Sequence, residues 1–358
     1  MEFIVFSISG GIGKNVIATS VARAINEQYP DRKIIILTAH PDIWINNPRV
    51  YKVIQFGQTA YFYDDYIKDK NTLIFTHDPY GSTDAIYRTK PLSQVWCELY
   101  GISWKGEKPE LYFTELERDQ LFHTVNKTGP ILLIQPFGGA QTHHKYSWMR
   151  DIPPVLAQRI VDEFKNDYRI IQIKREDQLL LNGAEFLTAN PRNLALALML
   201  SDKRIFIDSF MQHAAAALGL SSSVFWIGNS SLTFGYNIHQ NIVTSFEVGS
   251  TRNSLFDPFD IQGDPIQLAT PPSSLFDTES VISALKGAQG PQLSNNSTVN
   301  PTIIPASKPS ISKPPSIQVP NIPDITEIIP GIEVIGLVPL DSNGNVIEEK
   351  TVAKSKKK

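Results

Sequence analysis

The sequence predicts an α/β protein with two consecutive units of parallel strands and helices, followed by a tail that lacks a core. Short apolar strands alternate with helical periods, and a strand leads into a glycine-bearing loop in each unit, at 9–13 and at 136–139. All 18 Phe, 12 Tyr and 5 Trp fall at or before Phe276, whereas ten of the 25 prolines lie within 291–339. Residues 286–358 are therefore predicted to be a largely disordered Pro/Ser/Lys-rich tail.

The first unit is predicted to span residues 1–127 and begins with an apolar strand over 3–8. After the glycine loop, Ile17, Val21 and Ile25 recur at four-residue spacing and predict a helix that Pro30 ends. The remaining elements predicted here are a strand over 33–37, weaker strands over 52–54 and 72–75, and helices over 93–100 and 115–126.

The second unit, predicted for residues 128–285, restarts the same order of elements after Gly129-Pro130. Its predicted strands are 131–134, 169–173, 204–207 and 223–227, and its predicted helices are 154–164, 192–200 and 209–218. Open parallel sheets bind ligands beyond the carboxyl ends of their strands. Function is therefore expected in the loops at 9–13, 76–82, 135–145, 174–177 and 208–209.

Composition excludes several classes of protein. A formal charge of -3 argues against a nucleic-acid binder, and the single Cys97 rules out an internal disulfide and suits a reducing compartment. No apolar run reaches the roughly 18 residues of a membrane span. The first residues lack a signal peptide's basic start, so a cytoplasmic location is expected. In the tail, a short hairpin at 332–348 is possible, and the tail could tether the protein to a partner.

The most distinctive motif is Asp208-Ser209 followed by an alanine-rich stretch and Leu218-Gly219. An acidic residue at a strand end and a hydroxyl where a helix begins leave free N–H groups and the positive helix end in the loop, which suits a phosphate. His213 lies one helical turn from Ser209 on the same face. Alternatively, Asp208 or Ser209 only caps the helix and His213 packs in the core.

A second glycine-bearing loop, residues 135–148, precedes the first helix of the second unit. Gly138 and Gly139 let backbone approach a ligand closely, and Lys145 offers a compact positive charge for a phosphate. The alternative is a solvated surface loop with Trp148 tucked beneath it.

These two segments, in this order, resemble the donor domain of glycosyltransferase family 9, the lipopolysaccharide heptosyltransferases and their relatives, which have the GT-B fold. The run Lys145-Tyr146-Ser147-Trp148 nearly matches the family's Lys-x-Trp-Pro. Asp208-Ser209, His213 and Leu218-Gly219 match its later motif, with Phe210 in place of the usual glycine. The resemblance covers about residues 1–285 and implies two Rossmann-like domains facing across a cleft, one for the acceptor and one for the donor.

The resemblance also implies a nucleotide-diphosphate sugar as substrate. The positions that it implies for donor binding are Gly138, Gly139, Thr142, Lys145, Asp208, Ser209 and His213. On the acceptor side it implies a cleft formed by Gly10, Gly11, Gly13 and Lys14.

Lys14 stands where the family has the acidic residue that acts as general base on the acceptor hydroxyl. A protonated lysine cannot take a proton, so another loop must supply the base. His77 and Asp78, which follow the predicted strand at 72–75, are the candidates; alternatively, they only cap a turn before Pro79.

The expected function is therefore transfer of a sugar to a glycan or other hydroxyl acceptor, which could be lipid-linked, with no cofactor and no bound metal. A non-catalytic nucleotide-sugar or glycan-binding descendant is the alternative, favoured by Lys14 and Phe210. A second alternative is a deviant Walker A ATPase, because a glycine loop ends in Lys14, but Asn15 stands where that motif needs Ser or Thr to hold magnesium.

Overall fold

The computed structural model describes residues 2–124, 127, 129–138, 149–244 and 272–287. All of them belong to one unit, Met1–Ile303. The tail, with its possible hairpin at 332–348, lies outside the described residues, and so do Gly139, Thr142 and Lys145.

The first sheet is parallel and four-stranded, with the order β3-β2-β1-β4. Its strands are β1 (Glu2–Ile8), β2 (Lys33–Thr38), β3 (Val50–Gln55) and β4 (Asn71–Phe75). β1 is central, and Phe3, Ile4, Val5 and Phe6 are all buried, as expected of a strand covered on both faces. The strand order reverses between β1 and β4, so the ligand-binding crevice of this sheet is expected at their carboxyl ends.

The second sheet is parallel and six-stranded among the described residues, with the order β10-β9-β8-β5-β6-β7. Its strands are β5 (Ile131–Ile134), β6 (Arg169–Ile173), β7 (Glu185–Leu187), β8 (Lys203–Ile207), β9 (Ser223–Trp226) and β10 (Gln240–Val243). Here the order reverses between β5 and β8. These two parallel sheets confirm the predicted α/β architecture.

Helices cover the sheets. They are α1 (Ile12–Gln28), α2 (Phe62–Tyr66), α3 (Thr83–Ile86), α4 (Leu92–Leu99), α5 (Glu115–Thr124), α6 (Pro154–Phe164), α7 (Pro191–Ala197), α8 (Phe210–Ala217), α9 (Ser231–Phe234) and α10 (Thr278–Gly287). The predicted helix over 192–200 is α7 followed by a 3-10 turn, Leu198–Leu200. Cys97, in α4, is buried, and burial raises the pKa of its thiol to about 12.

The two sheets are joined by direct packing through α1 and α8. Val16 and Val21 of α1 share one apolar cluster with Met211 and Ala214 of α8, which explains why α1 is buried along most of its length. Arg192 of α7 adds a polar link to the first half: its Nη2 donates to the Tyr112 carbonyl at 2.7 Å. The helices that carry the two glycine-loop motifs are therefore in contact.

Candidate active site

An ion pair occupies the point where the strand order of the first sheet reverses. Lys14 lies in the first turn of α1, and its side chain is 5% exposed. Its Nζ donates to Oδ2 of Asp78 at 2.5 Å and lies 5.1 Å and 5.4 Å from the rings of Tyr80 and Trp96. A carboxylate and two aromatic faces all attract a cation, so the ammonium group is held in one place.

Asp78 is half of this pair and also caps the turn that follows β4. Its Oδ1 accepts a hydrogen bond from the Tyr80 amide at 3.0 Å, and its Oδ2 accepts one from Ser9 Oγ at 3.1 Å. Partial burial alone would raise the pKa of Asp78, but the hydrogen bonds from Lys14 and the Tyr80 amide outweigh it, and this pKa lies below its ordinary value. Asp78 is therefore an ionised carboxylate, and 44% of its side chain remains exposed.

His77, the other candidate for the base, is not part of this ion pair. Its side chain is exposed, and its ring centroid lies 6.4 Å from that of Tyr100, whose hydroxyl donates to the His77 carbonyl at 2.8 Å. Of the two candidates, the structure brings Asp78 to the Lys14 position.

The glycines of the first loop have different surroundings. Gly10 has a φ of +90°, and a Cβ there would lie 3.2 Å from Cδ of Lys14, so a side chain would be strained. At Gly11 a Cβ would meet nothing within 4 Å, whereas at Gly13 it would lie 3.0 Å from Cδ2 of His213. Gly13 is thus a point of close contact between the first loop and α8.

Asn15 is used inside the fold. It is fully buried; its Oδ1 accepts from Thr38 Oγ1 at 2.6 Å and from Trp44 Nε1 at 3.2 Å, and its Nδ2 donates to the Gly11 carbonyl at 3.2 Å. This amide ties α1 to the end of β2, at the position where a Walker A motif needs a magnesium ligand. The structure therefore does not favour the ATPase alternative.

The switch point of the second sheet lies where β5 and β8 end. Ser209 is the N-cap residue of α8 but makes no side-chain cap hydrogen bond; its Oγ donates instead to Oε1 of Gln135. Asp208 is buried, and its Oδ2 accepts a hydrogen bond from Asn229 Nδ2. Because neither side chain caps α8, the first N–H groups of this helix have no side-chain cap among the described residues, and such groups can bind an anion.

His213 lies beneath this switch point, in the contact between the halves. It is 4% exposed, and its Nδ1 is 3.0 Å from the Tyr236 hydroxyl. Burial, with smaller contributions from His239 and Arg150, lowers the pKa of His213 to about 3, so the ring is neutral.

Arg150 is a candidate that the sequence analysis missed. It is half-buried, and its Cδ would lie 3.5 Å from a Cβ at Gly138, just beyond β5. No residue in the described part of the chain makes a hydrogen bond or an ion pair with its guanidinium group. A guanidinium is suited to bidentate contact with phosphate. The sequence signal is a second basic residue near the glycine loop, a few positions after Lys145.

The phenol of Tyr80 is influenced by charged side chains from both halves of the molecule. Burial raises the pKa of its phenol, the charges of Asp208 and Asp78 raise it further, and Arg150 opposes them. The Tyr80 ring also contacts the second half directly, with its centroid 6.1 Å from that of Phe234. Charged side chains from both halves therefore act on the same phenol.

Among the described residues, no group of three or more His, Cys, Asp or Glu side chains is arranged to hold a metal ion. None of the described helices has the length and apolarity to cross a membrane.

Comparison with known proteins shows similarity in fold. No protein-family model matches the sequence, and no curated protein matches it. A glycosyltransferase of family 9 from Veillonella parvula matches with a TM-score of 0.58 at 13% identity, over 79% of this chain and 95% of that chain. The ADP-heptose LPS heptosyltransferase II of E. coli matches with a TM-score of 0.54 at 12% identity, over 80% of this chain and 100% of that chain.

A third structure is the dodecameric, iron-containing glycosyltransferase TibC from enterotoxigenic E. coli. It matches with a TM-score of 0.57 at 13% identity, over 79% of this chain and 76% of that chain. TibC has also been crystallised with ADP-D-β-D-heptose. The chain thus has the GT-B fold of these family 9 glycosyltransferases, and the predicted resemblance is confirmed at the level of the fold.

Proposed function

We propose that this protein transfers a sugar from a nucleotide-diphosphate sugar to a hydroxyl acceptor, a glycan or a lipid-linked glycan. The observation that carries the proposal is that the half-exposed carboxylate of Asp78 and the guanidinium of Arg150, which has no partner among the described residues, both act on the phenol of Tyr80. One is an acceptor of protons and the other a ligand for phosphate, as glycosyl transfer requires.

On the donor side, the diphosphate would lie at the N-terminus of α8. The free N–H groups beyond Ser209 and the guanidinium of Arg150 would face its oxygens, with Lys145, Thr142, Gly138 and Gly139 as further proposed ligands from the loop. As the bond from the sugar to the diphosphate breaks, its electron pair leaves with the diphosphate. Preorganised donors stabilise that growing negative charge.

On the acceptor side, Asp78 would take the proton of the attacking hydroxyl as the new bond to the sugar forms. Lys14, which holds Asp78 at 2.5 Å, would fix the orientation of this carboxylate. The same hydrogen bond weakens the base, so the rate would depend more on donor activation than in an enzyme with a free carboxylate. Asp208 and His213 would support the donor pocket from below.

The test is a panel of nucleotide sugars examined by saturation-transfer NMR, followed by assays of donor hydrolysis and transfer. Arg150→Ala should weaken binding of a recognised donor at least about tenfold. It should leave the melting temperature unchanged, because no described ion pair is lost.

Arg159→Ala is the matched control for this substitution. Arg159 is an exposed arginine of α6 that pairs with Glu163, and its removal should leave donor binding unaltered. Equal donor affinity in the wild type and Arg150→Ala would contradict the donor assignment. Binding without turnover for every donor would reassign the protein as a nucleotide-sugar-binding module.

A further inference from the structure

A polar cavity lies at the amino-terminal edge of the second sheet, opposite the proposed donor site. Its volume is about 510 Å³, within the usual range for small-molecule sites. The described residues lining it include the first residues of three strands, Lys203 of β8, Ser223 of β9 and Gln240 of β10. The donor site lies at the carboxyl ends of these strands, so the two sites are on opposite edges of one sheet.

Positive charge dominates the cavity wall. Arg204 is 4% exposed and Lys203 8% exposed, and both line the cavity. The one acidic residue among the described lining, Asp202, pairs with Lys127 at 2.9 Å and accepts from the Ile131 amide at 2.8 Å. Asp202 also acts on Arg204, and Lys203 donates to the Leu285 carbonyl, so the described lining holds two cations against one carboxylate and has an excess of positive charge.

The guanidinium group of Arg204 is only partly used by the fold. Nε donates to the Ser221 carbonyl at 2.7 Å, and Nη1 donates to the Ser201 carbonyl. Nη2 makes no hydrogen bond with any described residue, so within the described part of the chain its two N–H groups have no partner. Arg204 lines the cavity, and these N–H groups are the ones that a ligand there can use.

Two neutral groups in the same wall lack partners. Ser222 Oγ and His239 Nδ1 are buried and make no hydrogen bond within the described part of the chain. His239 Nε2 lies 2.9 Å from the Gln212 carbonyl, which can only accept, so Nε2 carries the ring proton and Nδ1 is a bare acceptor. Unpaired buried polar atoms cost free energy, which a ligand hydroxyl could recover.

We propose that this cavity binds a small anion that also carries hydroxyl groups, such as a sugar phosphate. The anionic oxygens contact Nη2 of Arg204, and a hydroxyl group donates to His239 Nδ1 beside Ser222. The site is separate from the proposed donor site and does not depend on the proposed function.

The experiment measures binding to the full chain by calorimetry and by thermal shift, with glucose 6-phosphate, inorganic phosphate and glucose as probes. An Arg150→Ala background removes the competing anion ligand at the donor site. Glucose 6-phosphate should bind more tightly than phosphate, and neutral glucose should not bind. Arg204→Lys should weaken binding at least about tenfold, since a lysine lacks the planar pair of donors.

Arg204 also holds two carbonyl groups, so a second variant guards against misfolding. Ser222→Ala removes a hydroxyl that has no partner; it should keep the melting temperature of the free protein and weaken glucose 6-phosphate binding about threefold to tenfold. Thr233→Val is the matched control, because Thr233 Oγ1 is also buried without a partner but is not part of the cavity wall. It should leave binding unchanged.

Three results would overturn the proposal. The first is no binding of glucose 6-phosphate up to about 10 mM. The second is binding that Arg204→Lys and Ser222→Ala leave unaltered. The third is equal affinity for phosphate and glucose 6-phosphate, which would mean that the hydroxyl groups of the ligand do not contribute to binding.

Discussion

The two switch points of this protein differ in how their charges are satisfied. At the first, the cation of Lys14 and the carboxylate of Asp78 neutralise each other at 2.5 Å. At the second, Asp208 receives a hydrogen bond from a neutral amide, and Arg150 has no partner within the described residues. The first needs no ligand to balance its charge, whereas at the second the guanidinium has no counter-charge among the described residues.

This difference indicates how the two halves would divide the work. An unpaired guanidinium beside free helix amides gains most from a charged phosphate ligand, because both donate to its oxygens. A neutral ion pair gains little from a charged ligand but can orient a neutral one, such as a sugar hydroxyl. Substitutions at the first switch point, and then at the contact between the two switch points, can test this division.

The largest effect is expected when the ion pair is broken at Asp78. Asp78→Asn removes the proposed base and should lower transfer activity at least about 100-fold. It also leaves the buried ammonium of Lys14 without a counter-charge, which should cost about 2 kcal/mol of unfolding free energy, less than for a fully buried pair because Asp78 is half-exposed. Denaturant unfolding and a transfer assay measure the two effects.

The double variant Lys14→Met with Asp78→Asn separates these effects. It should recover stability, since no buried charge remains, but not activity. His77→Ala is the control and should change neither, because its exposed ring makes no hydrogen bond or ion pair with Lys14 or Asp78. Full activity in Asp78→Asn would remove this residue from the mechanism.

A smaller effect is expected on the pH dependence. The lowered pKa of Asp78 means that the pair contributes its full stability above about pH 4 and loses it as the pH falls through that lowered pKa. Loss of the Lys14 hydrogen bond and charge should raise the pKa of Asp78, so Lys14→Met should shift the acid limb of kcat/KM to higher pH.

An NMR titration of the Asp78 carboxyl carbon in Lys14→Met should show the same upward shift in the absence of any substrate. An acid limb at the same pH in both proteins, together with a shifted carboxyl titration, would mean that another group is the base.

The smallest effect is expected at the contact between the switch points. A Cβ at Gly13 would lie 3.0 Å from His213, so Gly13→Ala should cost about 1 kcal/mol of unfolding free energy through overpacking. Gly81→Ala, where the new Cβ meets nothing within 4 Å and φ is not positive, is the control and should stabilise the protein slightly, by about 0.5 kcal/mol. Equal melting temperatures for the two variants would show that this contact is not tight.

The sequence predicts the fold well where apolar runs are long and buried. β1, β2, β5 and β8 are such runs, and the glycine loops between strand and helix locate both switch points. β7 has only three residues, Glu185–Leu187, and its phenylalanine is half-exposed. It is too short to show a pattern of apolar residues from which a strand could be predicted. The predicted α/β fold and the resemblance in fold to the family are confirmed. The domain boundary at 127/128 and the roles of the site residues stay predictions.

The side-chain partners of the site are harder to predict. Asp78 can be proposed from its place after a strand, but its pairing with Lys14 joins loops that follow β1 and β4 and depends on tertiary structure. Asn15 could be excluded as a magnesium ligand from its type, but its hydrogen bonds to Thr38 and Trp44 could not be foreseen. Arg150 can be noticed in the sequence as a basic residue shortly after Lys145, but its lack of a partner among the described residues depends on tertiary structure.

The buried Cys97 has a practical consequence. Its thiol is the only one in the chain, and at a pKa of about 12 it stays protonated and shielded at neutral pH. A cysteine placed on the surface of either half would then react alone with a maleimide dye or spin label, without any prior removal of native cysteines. Pairs of such labels could follow whether nucleotide sugars alter the separation of the two sheets.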